Sequence, residues 1–478
     1  MDIFRILFII MLVMYILFVL SFIFLEKRKE NSLISWLLVF IVFPFAGFLI
    51  YLIFGRDMSK KKVFRLFKTE ENLMEEIKQK AEHIYYQKKN NLYKALKESI
   101  ESMELTSKMS DTGVHFNNKV KIFTDGKEKF EKLIQDIQGA DTEIHILYFI
   151  YKKDHLGNQI RDLLIKKAKQ GVKVRLLLDH FGSFSLGGKY FKELKEAGGK
   201  VSFSFPLSLR NFQLNNRNHR KIVIIDRKIA YIGGFNIGDE YLGNNVNTGY
   251  WRDTHIRIQG PGIIDLQVRF FLDWRNAGNK DIVIDENVFP ENHVRGSVPL
   301  QVLSSGPDSQ LETIKLAYIE MINNAKEYIY IQTPYFVPDE TFVDALRIAL
   351  LKGVDVRIMI PNKQDHIFVY WATYSYVGDL LPLGLKAYTY ENGFLHAKTI
   401  VVDSKIASVG SANFDKRSFK LSFECNAFLY GSKIGEEMKE IFMNDLKYCK
   451  QLTIERYNKR SLSIRIKEPI SRIISPIL

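Results

Sequence analysis

The chain carries one short pattern twice. The first copy is His219-x-Lys221-x4-Asp226, within NHRKIVIID, and it runs on to Gly233-Gly234-x-Asn236. The second is His396-x-Lys398-x4-Asp403, within LHAKTIVVD, and it runs on to Gly410-Ser411-x-Asn413. The flanks repeat too. EIHILYFI (143–150), a helical stretch and GVKVRLLL (171–178) lead into the first copy; EYIYIQTPYF (327–336), a helical stretch and GVDVRIMI (353–360) lead into the second. Short β-branched runs alternating with charged helical stretches are the texture of an α/β fold. Gly171 and Gly353 stand where a helix should end and a buried strand begin. The economical reading is a duplicated α/β unit, with units over 113–285 and 298–455. NKDIVIDENVFPENHVRGS reads as the loop between them.

A histidine and a lysine two apart on a strand point to the same face. Each motif therefore sets a proton carrier or nucleophile beside a fixed positive charge. Two such faces brought together make a pocket for a phosphodiester. That electrophile is poor because its oxygens are negative, so attack needs charge neutralisation and a proton for the leaving alkoxide. One histidine can attack phosphorus while the other protonates the leaving oxygen and later deprotonates the incoming alcohol. Histidine suits both roles because it titrates near neutrality. The candidate catalytic set is His219, Lys221, Asp226, His396, Lys398 and Asp403, with Asn236 and Asn413 beside the lysines on the phosphoryl oxygens. Asp226 and Asp403 fall on the opposite strand face from the histidines, and they read as structural charges within that set. No metal, cofactor or nucleotide is expected: GSFSLGGK (182–189) has the wrong glycine spacing for a phosphate-binding loop. The other eight histidines show no metal-ligand spacing.

Lys and Arg total 68 against 54 Asp and Glu, a formal charge of +14, which favours an anionic partner. The two cysteines, Cys425 and Cys449, form no C-x-x-C pair and suggest a reducing compartment without a zinc site. The N-terminus points to a membrane. Residues 6–25 and 33–54 contain no charge, and each is about the ~20 residues that cross the hydrocarbon core. Residues 1–56 thus read as a two-helix transmembrane hairpin. Arg56, Lys60, Lys61, Lys62, Arg65 and Lys68 follow it, against Lys27, Arg28 and Lys29 in the connection. The positive-inside rule then puts the body in the cytoplasm. Residues 57–112 read as a polar helical linker. Residues 456–478 interleave bases with Leu and Ile, as a basic amphipathic segment for a membrane surface does.

The doubled motif resembles the signature of the phospholipase D superfamily. The resemblance narrows to the bacterial cardiolipin synthases. Pro44, Gly47, Tyr51, Gly55 and Arg56 match the end of that family's hairpin, and YWRDTHIRIQGPG (250–262), IQTPYFVPDE (331–340), GFLHAK (393–398), GSANFDKRSF (410–419) and the final SPIL match as well. It implies two α/β units packed pseudo-symmetrically around one site. It also implies a reversible exchange of two phosphatidylglycerols into cardiolipin and glycerol through a phosphohistidine, with His219 as nucleophile. Partners would be these lipids and an anionic membrane, not nucleic acid, and the location the bacterial cell (inner) membrane. The same catalytic residues would serve a lipase, in which water replaces the lipid acceptor. In the superfamily each histidine is oriented by an acid some thirty residues downstream. By that offset Asp253 would hold His219 and Glu424 would hold His396. Two positions depart from the pattern: Gly234 stands where serine is common, and Ser422 where asparagine is expected.

Overall fold

A computed structural model describes residues 3–25, parts of 36–51, and 68–474 apart from 188, 207–215, 244–248, 283, 285–293, 295 and 310. Gly55, Arg56, the SPIL terminus and most of the loop between the repeats lie outside the described residues.

The described residues up to Tyr51 fall in a compact unit separate from the body. Helix α1 (Ile3–Leu25) has 23 residues and leaves Ile6 to Leu12 exposed. The Tyr15 hydroxyl donates to the Phe40 carbonyl at 2.5 Å. Trp36, Phe40 and Tyr51 cluster, with Trp36 and Tyr51 edge to face at 5.3 Å. Among the described residues no helix qualifies as a membrane span, so a transmembrane hairpin is not part of the established fold.

The body is one continuous α/β unit. Its first half has β1 (His115–Phe123), β2 (Glu143–Tyr148), β3 (Lys173–Asp179), β4 (Lys200–Ser204), β5 (Ile222–Ile225), β6 (Ile229–Gly233), β7 (Trp251–Arg252) and β8 (His255–Gln259). The second has β9 (Val298–Ser305), β10 (Tyr328–Gln332), β11 (Phe336–Val337), β12 (Asp355–Pro361), β13 (Lys386–Tyr390), β14 (Phe394–Leu395), β15 (Thr399–Val402), β16 (Ile406–Gly410), β17 (Phe414–Asp415), β18 (Glu424–Tyr430) and β19 (Cys449–Leu452). Fifteen strands form one sheet in the order β19-β13-β12-β10-β15-β16-β18-β9-β1-β8-β6-β5-β2-β3-β4. Read outward from the central β9–β1 pair, the halves match strand for strand: β8 with β18, β6 with β16, β5 with β15, β2 with β10. β5 and β15 run antiparallel to β2 and β10. The residues just before each motif strand therefore sit at the carboxyl ends of the parallel strands.

The halves do not merely abut. One core cluster takes Ile232 and Ile256 from the first half and Val409 and Ala427 from the second. Two further clusters belong mainly to one half each. The segment 57–112 contains a 42-residue helix, α2 (Lys68–Met109). It is more than a tether, because Met103 and Ile100 are buried in the second-half core and Arg275 pairs with Glu70 at 2.6 Å.

The motif aspartates close the motif hairpins. Asp226 and Arg227, and again Asp403 and Ser404, adopt φ between 50° and 56°. Two consecutive left-handed residues are the requirement of the type I′ hairpin turn. Lys228 N–H then bonds Ile225 C=O at 3.0 Å, and Lys405 N–H bonds Val402 C=O at 2.9 Å. Each carboxylate also clamps the entry of the neighbouring strand. Asp226 accepts from the N–H groups of Asp141, Thr142 and Glu143 at 2.7–2.9 Å. Asp403 accepts from Lys326, Glu327 and Tyr328 at 2.8–2.9 Å. Burial would raise the Asp226 carboxyl, but these backbone N–H bonds outweigh it and hold the group below its usual range. Neither aspartate touches a motif histidine.

Candidate active site

Each motif histidine is delivered by a strand edge of its own half and backed by an acid of the other. Asn218 bridges Phe423, His219 N–H bonds Phe423 C=O at 3.0 Å, and Phe423 N–H bonds Arg217 C=O at 2.9 Å. On the other side β14 pairs in parallel with β7, Phe394 opposite Trp251, and His396 N–H bonds Arg252 C=O at 2.7 Å. These cross-half ladders set His219 beside Glu424 and His396 beside Asp253. His219 Nδ1 lies 2.9 Å and 3.1 Å from the two Glu424 oxygens. His396 Nδ1 lies 2.6 Å from Asp253 Oδ2. The pairing expected from chain offset is therefore corrected: Asp253 orients His396, and Glu424 orients His219. Offset along the chain measures the turn back within a unit, whereas the contact is made by strands exchanged between units.

A carboxylate on Nδ1 fixes that nitrogen as the N–H donor and leaves Nε2 as the reactive one. The acids are fully buried, while the His219 side chain is 17% exposed and that of His396 11%. Of each acid–imidazole pair only the imidazole is partly exposed. Lys221 Nζ donates to His219 C=O at 2.6 Å, and Lys398 Nζ to His396 C=O at 2.6 Å. Phe149 meets His219 edge to face at 5.0 Å, and Trp251 leans on His396 at 5.1 Å. These aromatics exclude water from the ring faces.

The four groups share one field. Burial lowers His219 to about 4, with the Glu424 charge opposing and Lys221 and Lys398 reinforcing. Burial likewise lowers His396, reinforced by Lys398 and opposed by Asp253. Lys221 falls to about 7 and Lys398 to about 8, first through burial and then against the carboxylates that pull them up. Without substrate the lysines are thus poised to lose their charge near neutrality, and a phosphodiester anion would restore it. The sign is definite for the free enzyme. kcat/KM should rise as pH climbs through about 4, where His219 becomes neutral, and fall at higher pH, first as His396, itself lowered by burial, loses the proton the leaving group needs, and then above about 7–8 as the lysines lose theirs. Lys221→Arg, which does not titrate in this range, should remove the loss of activity that begins near 7. A wild-type profile that stays flat to pH 9 would refute this reading.

Supporting groups escaped the sequence reading. Arg220 donates to Glu424 C=O at 3.2 Å and to Asp273 at 2.8 Å. Arg252 bonds Asp253 C=O and pairs with Asp445 at 2.6 Å. Each buried arginine thus holds the backbone of a histidine-orienting acid. The available signal was only an arginine immediately beside a motif histidine, Arg220, and one immediately beside a candidate acid, Arg252. Ser411 Oγ donates to Glu424 at 2.5 Å. Gly234, its counterpart, leaves no such room: a Cβ there would stand 2.0 Å from Asp253 Oδ1. The departure from serine at that position is the space Asp253 occupies. Ser422 is buried at the end of the turn and bonds Arg417 C=O at 2.9 Å.

The asparagines behave differently from one another. Asn236 Oδ1 accepts from Ile150 N–H at 3.1 Å and its amide donates to Tyr241 at 3.3 Å, so it is committed to the loop after β2. Asn413 Oδ1 is buried without a hydrogen-bond partner. Such an amide, turned over, offers N–H donors to a phosphoryl oxygen. Among the described residues no group of His, Cys, Asp and Glu is arranged to hold a metal ion.

Residues 133–257 and 318–446 match the cardiolipin synthase, PLD-like domain, and residues 7–56 match the phospholipase D-nuclease N-terminal family. The major cardiolipin synthase ClsA of Bacillus subtilis is 48% identical over 488 residues, covering 98% of both chains. The chain belongs to the cardiolipin synthase family. A cardiolipin synthase of Staphylococcus aureus is 46% identical and covers 98% of this chain and 95% of its own. The fold also resembles the crystal structure of a phosphatidylserine synthase from Haemophilus influenzae, with a TM-score of 0.60 over 79% of this chain and all of that one, at 14% identity. As a member of this family the chain is a phosphatidyltransferase of the phospholipase D superfamily.

Proposed function

We propose that this phosphatidyltransferase joins two phosphatidylglycerol molecules into cardiolipin and releases glycerol, through a phosphohistidine on His219. The observation that carries the reading is the pair of partly exposed imidazoles, each with Nδ1 on a sealed carboxylate of the other half. His219, neutral at physiological pH, attacks phosphorus through Nε2. His396, entering the step as the imidazolium with Nδ1–H on Asp253, gives its Nε2 proton to the departing glycerol oxygen as the P–O bond breaks. The glycerol hydroxyl of the second phosphatidylglycerol then gives its proton to His396 and attacks phosphorus, and His219 leaves. Lys221, Lys398 and Asn413 hold the phosphoryl oxygens. One phosphodiester is made as another is broken, so no outside energy source enters. Water as acceptor would give phosphatidic acid from the same intermediate. Purified protein with labelled phosphatidylglycerol should yield cardiolipin and free glycerol in equal amounts. Phosphatidic acid as the main product would turn the reading into a lipase.

The substrates are lipids, and residues 6–25 and 33–54 are uncharged. We take these segments to span a bacterial cell membrane, with the basic residues after the second on the cytoplasmic side beside the catalytic body. A cysteine introduced in 26–32 should react with an impermeant thiol reagent in intact cells, and one near residue 60 should not. The opposite pattern overturns the topology.

A further inference from the structure

The last described helix is amphipathic and mounted with its apolar face outward. Helix Leu462–Ile474 is preceded by a short helix, Ile454–Asn458. One polar stripe of it turns in. Glu468 and Ser471 are buried, at 3% and 1% exposure. Glu468 accepts from the Tyr457 hydroxyl at 3.0 Å and from Arg460 at 2.9 Å. Arg472 pairs with Asp379 and lies 4.2 Å over the Tyr376 ring, and Lys467 lies 5.4 Å over the Trp371 ring. The apolar residues at successive turns face away: Leu462 is 72% exposed, Ile466 52%, Ile470 47% and Ile473 76%. An ordinary surface helix buries that stripe and solvates its charges; here the ion pairs on the inner face hold it reversed.

The stripe continues towards the catalytic site. Lys467 against Trp371 and Arg472 against Tyr376 and Asp379 make the helix run parallel to helix Ile367–Leu380. Leu462 is then at the same end as Ile367 and Phe368, which are 56% and 45% exposed. That end follows β12, whose partner β10 pairs with motif strand β15, so it lies at the strand edge that presents His396. The loop after β3 occupies the equivalent place in the first half and exposes Phe181 and Phe184. Its Ser183 bonds the carbonyl of Phe149, the residue packed on His219.

We propose that the outward face of the C-terminal helix, with the Ile367–Phe368 turn, is a docking surface for an anionic phospholipid bilayer, lying at the headgroup–acyl boundary with the catalytic opening toward the lipid. Charge chooses this occupant over a second protein chain. Arg456, Lys459, Arg465 and Lys467 are exposed in the same segment, while its acids are Glu455 and Glu468, the latter sealed inside. Apolar residues rimmed by Lys and Arg are what an interfacial helix presents to anionic lipid. This deepens the lipid-substrate reading above and rests on it.

The test uses the full chain reconstituted in phosphatidylglycerol vesicles. An environment-sensitive fluorophore on a cysteine at Ile466 or Ile470 should emit blue-shifted light, and lipids brominated on their acyl chains should quench it. The same probe at Lys166, on an exposed charged helix face, should show neither change; unsubstituted protein labelled in parallel corrects for Cys449. Ile466→Asp/Ile470→Asp should lose activity several-fold on vesicles yet keep it on short-chain phosphatidylglycerol dispersed as monomers. Water-like emission at both positions, or normal vesicle activity of the double variant, would overturn the proposal. Blue-shifted emission that brominated lipid does not quench would also overturn it, by assigning the stripe to contact with another chain. Failure of the wild type to form any cardiolipin would sink the functional reading instead, and the quenching result would still decide the docking.

Discussion

His219→Ala and His396→Ala should each lower cardiolipin formation by several orders of magnitude. A positioned acid–base group alone is worth ~10²–10⁴-fold, and the nucleophile adds the covalent step. The histidines cannot substitute for one another, because during each half-reaction one is bonded to phosphorus while the other carries the proton. Folding should survive both changes, since each imidazole is partly open and the core clusters do not include it. Circular dichroism and thermal melting would confirm that. Near-normal turnover in either variant refutes the paired mechanism.

The second large effect concerns the crossed acids. Glu424→Gln and Asp253→Asn keep shape and remove charge. Each should lower turnover by about 10⁴-fold, the scale of the carboxylate-to-amide change in a Ser-His-Asp triad. Their consequences should differ with a phosphatidyl nitrophenyl ester, whose leaving group needs no proton. With Asp253→Asn the first step proceeds and the second stalls, so a phosphatidyl adduct accumulates. With Glu424→Gln the nucleophile itself is impaired and little adduct forms. Mass spectrometry after digestion without acid should place the adduct on the peptide holding His219. Accumulation on His219 in Glu424→Gln instead would mean that each acid serves the histidine of its own half. Accumulation on His396 in Glu424→Gln would keep the crossed pairing and exchange the catalytic roles.

The crossed pairing marks where reading the chain stops being enough. The repeat could be read directly because every element of it is local. The short β-branched runs in KIVIID and KTIVVD fix two strands, and the fixed spacing of His, Lys and Asp fixes which face each occupies. The structural role of Asp226 and Asp403 also followed from spacing, although the type I′ turn and the three-N–H clamp became visible only in three dimensions. Both acids were identified as residues.

Their partners were not, because nothing local distinguishes an acid that returns to its own unit from one handed to the neighbour. That choice is made by Asn218 bridging Phe423 and by β14 lying on β7, contacts between residues about two hundred and one hundred and forty positions apart. Likewise, interleaved bases and isoleucines showed that the C-terminal segment is amphipathic. Only the packing of Glu468 against Tyr457 and Arg460, and of Arg472 against Asp379, decided that its apolar side faces out. Periodicity fixes the faces of an element, because side-chain direction is a property of the local backbone. Which face or which acid meets which partner depends on contacts distant in sequence, and those exist only once the two halves have closed into one core.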